Sequence, residues 1–394
     1  MSPQGAPYKL FQLPIFRLCV GGRSAVALFF LITGYVNSIG PLTKARNGDP
    51  EAAFTSISRS ALARSGKLIL PTMVATFFSW FLANTNAYKM AEHVDATWIR
   101  QGFHRQEPTF SMAMKSLIYS ETSTWTRGWN DYDGTQWTLV LFLQGSMMVY
   151  ITMLIGVMTT PKARRVIFAT LWLYGWLCYK DAIGPIMTMN IAFGMFVADL
   201  HVTYADSATT ILPFGTPILL ILLGMFFSSY PQDNPTWSPW SNSMRALMAT
   251  ITPAEADLRR HWDSLGASTA LLGIFFSARA RQILSSPVFN FLGRVSFPVY
   301  LLHNQLMKSL LVWMIYLPSA LDPRFNEKGQ AMDLQRGSRL HCFVAIAVFY
   351  YVLYRLAYAW VLYVDPLCAR IVKRATGWAY GEGGPPGEKA LLLA

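Results

Sequence analysis

Apolar residues along this chain run in long blocks, and polar residues collect in the short stretches between them. Nine such blocks stand out, at residues 24–43, 68–88, 135–160, 166–179, 182–198, 211–230, 264–278, 295–318 and 340–364, with 166–179 and 264–278 the least complete. A helix needs about 20 mainly apolar residues to cross about 30 Å of hydrocarbon, and most of the blocks reach or approach that length. The expected fold class is therefore all-α: a polytopic transmembrane helix bundle of about nine spans, as one domain over residues 10–374. Residues 375–394, with the run GEGGPPGEK, are expected to form a disordered tail.

The polar stretches differ in charge, and that difference orients the spans. Lys44, Arg46, Arg59, Arg64 and Lys67 follow the first block, Lys162, Arg164 and Arg165 the third, Arg279, Arg281 and Arg294 the seventh, and Arg370, Lys373 and Arg374 the last. All four basic groups fall on one side of the nine-span plan, which the positive-inside rule makes cytosolic. Residues 89–134, 231–263 and 319–339 then lie on the opposite side, together with the N-terminus. That parity fits nine spans, or ten with one more ahead of the first. The opening MSPQGAPYKLFQLPIF has no uninterrupted apolar core before Arg17 and no small-residue cleavage site, so a cleaved signal peptide is not expected.

Composition supports the membrane reading: 53% of residues are hydrophobic, 14% are charged, and the mean hydropathy is +0.30. A soluble domain carries about 25% charged residues. The net charge of +12 is explained by Lys and Arg gathered in cytosolic loops, so no nucleic-acid partner is expected. Cys19, Cys178, Cys342 and Cys368 lie in or beside apolar blocks without paired spacing, which gives neither a disulfide framework nor a metal site.

Polar residues inside apolar blocks are the candidates for chemistry, because an unpartnered polar group in hydrocarbon costs several kcal/mol. The eighth block, VSFPVYLLHNQLMKSLL, carries His303, Asn304 and Lys308. Asn304 and Lys308 are four apart and share a helix face, and His303 is offset from them by about 100°. His303 lies eight residues from the start of its block, about 12 Å along the helix. The alternative is structural: His303 bonding a neighbouring helix, Lys308 snorkelling. Arg355 sits in the middle of the last block and is expected to turn toward the bundle interior or a water-filled cavity, where its fork would suit a phosphate. Arg23, beside Gly21, Gly22 and Ser24, stands at the mouth of the first block, and Gln136 and Trp137 open the third; interfacial anchoring is the rival reading of these three. Asp131 and Asp133, in DYDG, read as a turn.

Three stretches in series resemble the acyltransferase 3 family of membrane proteins, its fungal members especially. They are GGRSAVALFFLITGYVNSIGPLTKAR at 21–46, QWTLVLFLQGSMMVY at 136–150, and HWDSLGA at 261–267 followed by SSPVFNFLGRVSFPVYLLHNQL at 285–306. The resemblance covers roughly residues 10–374. It implies a multi-pass membrane O-acyltransferase that takes an acyl group from a thioester, with acyl-CoA as co-substrate and no bound cofactor or metal. The acceptor would be a hydroxyl of a small-molecule, lipid or sugar, and the surroundings membrane lipid. Acyl transfer needs a base at the acceptor hydroxyl, and His303 is the candidate catalytic residue. Asn304, Lys308, Arg355, Arg23, Gln136 and Trp137 are the candidate substrate-binding residues. The chain also departs from the pattern. Family members carry an additional first helix with an Arg and a His, and nothing before Gly21 supplies that pair. Where the family has a carboxylate and, in fungal members, an Arg, this chain has Phe142 and Gln144. The departures keep a second expectation open, a non-catalytic paralogue acting as a transporter or scaffold in the membrane.

Overall fold

A computed structural model describes residues 9–178, 183–213, 215–322 and 332–381. In chain order its helices are α1 (Arg23–Arg46), α2 (Pro50–Asn84), α3 (Thr97–Gln101), α4 (Phe110–Thr126), α5 (Trp137–Gly156), α6 (Pro161–Leu177), α7 (Gly184–Tyr204), α8 (Ala208–Ile211) and α9 (Thr216–Phe227). They continue with α10 (Pro239–Ile251), α11 (Leu258–Phe276), α12 (Ala278–Leu284), α13 (Pro287–Leu306), α14 (Val312–Leu321) and α15 (Arg339–Ala379). No strand forms among the described residues, and the only β pairing is an isolated bridge from Val94 to Leu334. The all-α expectation holds.

Each apolar block of the sequence falls for most of its described length on helix, with turns at the block ends and at residues 212–215; Tyr179, Ala182 and Phe214 lie outside the described residues. Among the described residues, five helices are long and apolar enough to cross a membrane: Arg23–Arg46, Pro50–Asn84, Gly134–Gly156, Gly184–Tyr204 and Arg339–Ala379. The other four blocks became helices that are shorter or more polar. At 12 residues α9 is about 18 Å long, less than a bilayer core. The eighth block continues from α13 through a π-helical turn, Met307–Leu311, into α14. At the other end, α15 runs to Ala379, past the point where a disordered tail was expected to begin, and residues 382–394 of that tail lie outside the described residues.

The described chain divides into two compact units, Met1–Ala61 with Leu141–Ser286, and Leu62–Val140 with Pro287–Ala394. In the first, helices approach through small residues, as helices do where packing and not water exclusion must hold them. A methyl group on Gly194 of α7 would overlap the Leu31 carbonyl of α1, and one on Gly34 of α1 would overlap the Ile191 carbonyl. The α9–α11 contact is of the same kind, since a Cβ on Gly273 would meet the Pro217 carbonyl oxygen at 2.7 Å. Phe30, Val149, Met153, Ile191 and Met195 fill the core between. Two arginines of a predicted cytosolic group hold α6 to α7: Arg164 Nε and Arg165 Nε each donate to the buried Asp199 carboxylate at 2.7 Å.

The second unit packs α13 along α15. Trp80, Ala83, Tyr88, Ala113, Leu117 and Tyr132 form one apolar cluster, and Met90, Val94, Ile99, Val312 and Tyr316 another. Asp95 ties the second cluster down, accepting from Tyr316 Oη and from Arg336 Nε at 3.2 Å. On α4, Glu121 has a buried Oε2 without a hydrogen-bond partner, and burial pushes its carboxyl up to about 8.

Candidate active site

Within the second unit, polar side chains that lie far apart in sequence meet around one carboxylate. Asp133 is fully buried (0% exposed) and precedes the short 3-10 turn Gly134–Gln136 that leads into α5. Its Oδ1 accepts from Thr135 N at 3.0 Å, from Thr135 Oγ1 at 2.7 Å and from Asn304 Nδ2 of α13 at 2.6 Å. Asn130 shapes the loop before it. The Asn130 Oδ1 accepts from the backbone of Tyr132 and Asp133, both at 2.9 Å, an arrangement that a short amide favours in turns. Its Nδ2 donates to Thr124 Oγ1 at 2.8 Å, Gln136 Oε1 at 3.0 Å and Thr76 Oγ1 at 3.1 Å.

Lys308 comes to the same place through the π-helical turn, a deviation that is frequent at functional sites. It is 2% exposed, and its Nζ donates to the Gly102 and Tyr132 carbonyls, the latter at 3.5 Å, 5.8 Å from the centre of the Tyr88 ring. Asp133 acts on Lys308 electrostatically without a hydrogen bond between them. Gln305, beside Asn304, donates to the Ala75 carbonyl of α2 at 3.0 Å.

Three buried atoms of this network have no partner: Asp133 Oδ2, Gln136 Nε2 and Gln305 Oε1. Buried polar groups are nearly always hydrogen-bonded, so each such atom calls for an explanation. Two of these are acceptors and one a donor, a set that a hydroxyl-bearing molecule can satisfy.

His303 lies on the adjoining face, half-buried, with its ring centre 5.8 Å from that of Tyr300. Its Nδ1 bonds the Tyr300 carbonyl of its own helix at 2.7 Å. A carbonyl only accepts, so Nδ1 carries the hydrogen and the neutral ring presents its lone pair at Nε2. That is the tautomer of a general base. Tyr300 is itself held, its hydroxyl donating to the Thr135 carbonyl and meeting Thr138 Oγ1 at 2.5 Å.

The acyltransferase 3 family model, described as an acyltransferase domain, matches residues 2–352. The chain belongs to this family. It is 25% identical over 340 residues to acyltransferase R4 of Phoma sp., a match covering 75% of this chain and 70% of that protein. It is 23% identical to the O-acetyltransferase PaAT-1 of Phomopsis amygdali, over 76% of this chain and 65% of that protein. To acyltransferase clz18 of Cochliobolus lunatus it is 26% identical, over 75% and 70% of the two chains. No solved structure matches. Family and relatives make the chain an acyltransferase, and its apolar helices are consistent with a membrane protein.

The polar network gathers Asn304, Lys308 and Gln136 around Asp133, with His303 on the next face and Trp137 half-buried at the start of α5. Two candidates fall elsewhere. Arg23 is exposed at the start of α1 in the other unit, in the field of Arg259, Arg260, Asp257 and Asp233. Arg355 does not turn into the bundle as expected: it is exposed on α15, in a groove with Phe291, Tyr350, Tyr351, Tyr354 and Tyr358. An all-round apolar helix gives no sequence signal for which face is covered. Phe142, standing for the family carboxylate, packs its ring 5.0 Å from that of Phe30, so the position is apolar. Sequence reading also missed Asp133, Gln305 and Tyr300. DYDG is the turn it was read to be, since Asp133 caps it, but the same oxygen also receives Asn304. The available signal was a carboxylate placed directly before a charge-free block.

Proposed function

We propose that this acyltransferase is a multi-pass integral membrane O-acyltransferase. It takes an acyl group from an acyl thioester, with acyl-CoA as co-substrate, and gives it to a hydroxyl of a small-molecule, lipid or sugar acceptor. The observation that carries this reading is the His303 ring, locked at Nδ1 and open at Nε2, one residue from the amide that holds Asp133. The acceptor hydroxyl donates to Nε2. Its oxygen attacks the thioester carbonyl, the new C–O bond forms, the C–S bond breaks, and the proton passes through His303 to the departing thiolate. Gln136 Nε2, Gln305 Oε1 and Asp133 Oδ2 supply uncommitted polar atoms for the acceptor's remaining groups. The name O-acetyltransferase, carried by the Phomopsis relative, supports a short acyl group and an oxygen acceptor.

The test is His303→Ala, with acyl transfer and detergent-solubilised folded protein measured on one sample. Loss of the base lowers turnover about 10²- to 10⁴-fold with folded yield nearly unchanged. A residue that only packs helices gives the reverse, a lower yield with unchanged activity per folded molecule, because a buried hydrogen bond lost costs about 1–3 kcal/mol. The second reading, a transporter or scaffold without catalysis, is favoured by the apolar packing of Phe142, and the same experiment decides against it if wild-type protein turns over.

A further inference from the structure

Arg355 is a charged group in the middle of an apolar helix that the proposed reaction leaves unused. It has no hydrogen-bond or ion-pair partner among the described residues. It lies ten residues before Asp365 and fourteen after His341 on one continuous helix, about 15 Å and about 21 Å along the axis. All residues between are uncharged. An arginine at that depth does not stay bare in hydrocarbon, since intramembrane cations pair or face water. The groove around it holds about 370 Å³ and is walled by five aromatic rings, Tyr350, Tyr351, Tyr354 and Tyr358 of α15 and Phe291 of α13, the last 6.1 Å from Tyr358 between ring centres. Tyr351, Arg355 and Tyr358 follow at i, i+4 and i+7, so one helix face carries the cation between two rings.

We propose that this groove binds the carboxylate end of a long-chain fatty acid. The guanidinium fork pairs with a carboxylate by two parallel hydrogen bonds, tyrosine hydroxyls add donors, and the aromatic walls cover the first methylenes of the chain. Depth selects the occupant. A phospholipid phosphate stays at the surface with residues such as Asp365, whereas a single-chain carboxylate brings one charge and follows its own tail inward. The site is separate from the Asp133 network and needs only that α15 lies in the bilayer, so it stands or falls independently of acyl transfer.

The experiment uses the full chain in phosphatidylcholine nanodiscs, titrated in alkaline buffer with spin-labelled stearic acid and, separately, with its methyl ester. The immobilised fraction is read by electron paramagnetic resonance for wild type, Arg355→Gln and Arg355→Lys. Saturable binding of the acid is expected, at least tenfold weaker for the ester and for Arg355→Gln, and partly restored in Arg355→Lys. Melting temperatures should stay level, because the side chain is exposed and unpartnered in the protein. Equal binding of the ester, or unchanged binding by Arg355→Gln, overturns the proposal. Displacement of the acid by discs containing phosphatidylglycerol overturns it in favour of a phospholipid headgroup.

Discussion

Replacing Asp133 by alanine removes the acceptor for three hydrogen bonds at once. Thr135 is half-buried and can turn to other partners, but Asn304 Nδ2 is buried and loses the one acceptor it has, at a cost of about 1–3 kcal/mol. Lys308 loses the carboxylate whose field it feels. Breaking a buried charge pair costs about 3–5 kcal/mol when the partners touch. Here the ammonium is held by the Gly102 and Tyr132 carbonyls and does not touch the carboxylate, so its share falls below that range, at about 1–2 kcal/mol. We expect Asp133→Ala to lose about 3 kcal/mol, and Asp133→Asn, which keeps an acceptor oxygen but no charge, about 1–2 kcal/mol. Lys308→Met keeps the apolar stem and removes the charge. If the two charges support each other, Asp133→Asn with Lys308→Met is less destabilised than the sum of the singles by about 1–2 kcal/mol. Unfolding in mixed micelles of rising dodecyl sulfate content, followed by tryptophan fluorescence, measures all four corners of the cycle. Asp133→Ala within about 0.5 kcal/mol of wild type, the range of ordinary surface changes, refutes the network as a stabilising unit. Strict additivity refutes the charge coupling alone.

Glu121 titrates near 8 in the folded chain against an ordinary 4.5, so between those values the folded state holds a proton that the unfolded state has released. Its contribution to stability is whole below about 4.5 and is lost as pH rises through about 8; Glu121→Gln should flatten that decline in melting temperature, and parallel curves for the two proteins would disprove it. Asp199→Ala strands Arg164 and Arg165 between α6 and α7 and should cost about 3–5 kcal/mol in the same micelle assay, with a change under about 1 kcal/mol counting against it. In a cysteine-accessibility scan on a background without native cysteines, positions 46–59 and 281–287 should label from the cytosolic side and 232–242 from the other. Labelling of Gln232 and Arg281 from one side would show the span assignment to be wrong.

What the sequence determined by itself was the placement of helices and the sign of the segments between them. Both are properties of composition over about 20 residues: hydrocarbon and helix cores demand apolar runs, and basic residues are kept from crossing. The family was legible for the same reason, being carried by contiguous motifs. Register and facing were decided only in three dimensions. Asp133 reads as a turn residue because it is one, and its second partner, Asn304, lies 171 residues away. Lys308 sits four residues from Asn304, as helix spacing requires, yet its carbonyl partners, Gly102 and Tyr132, come from loops that no periodicity connects to α13. Arg355 shows the limit from the other side. An apolar helix carrying one cation contains nothing to say whether that cation turns inward or outward, because every face is equally suited to burial, and only the packing of α13 against α15 left Arg355 outside.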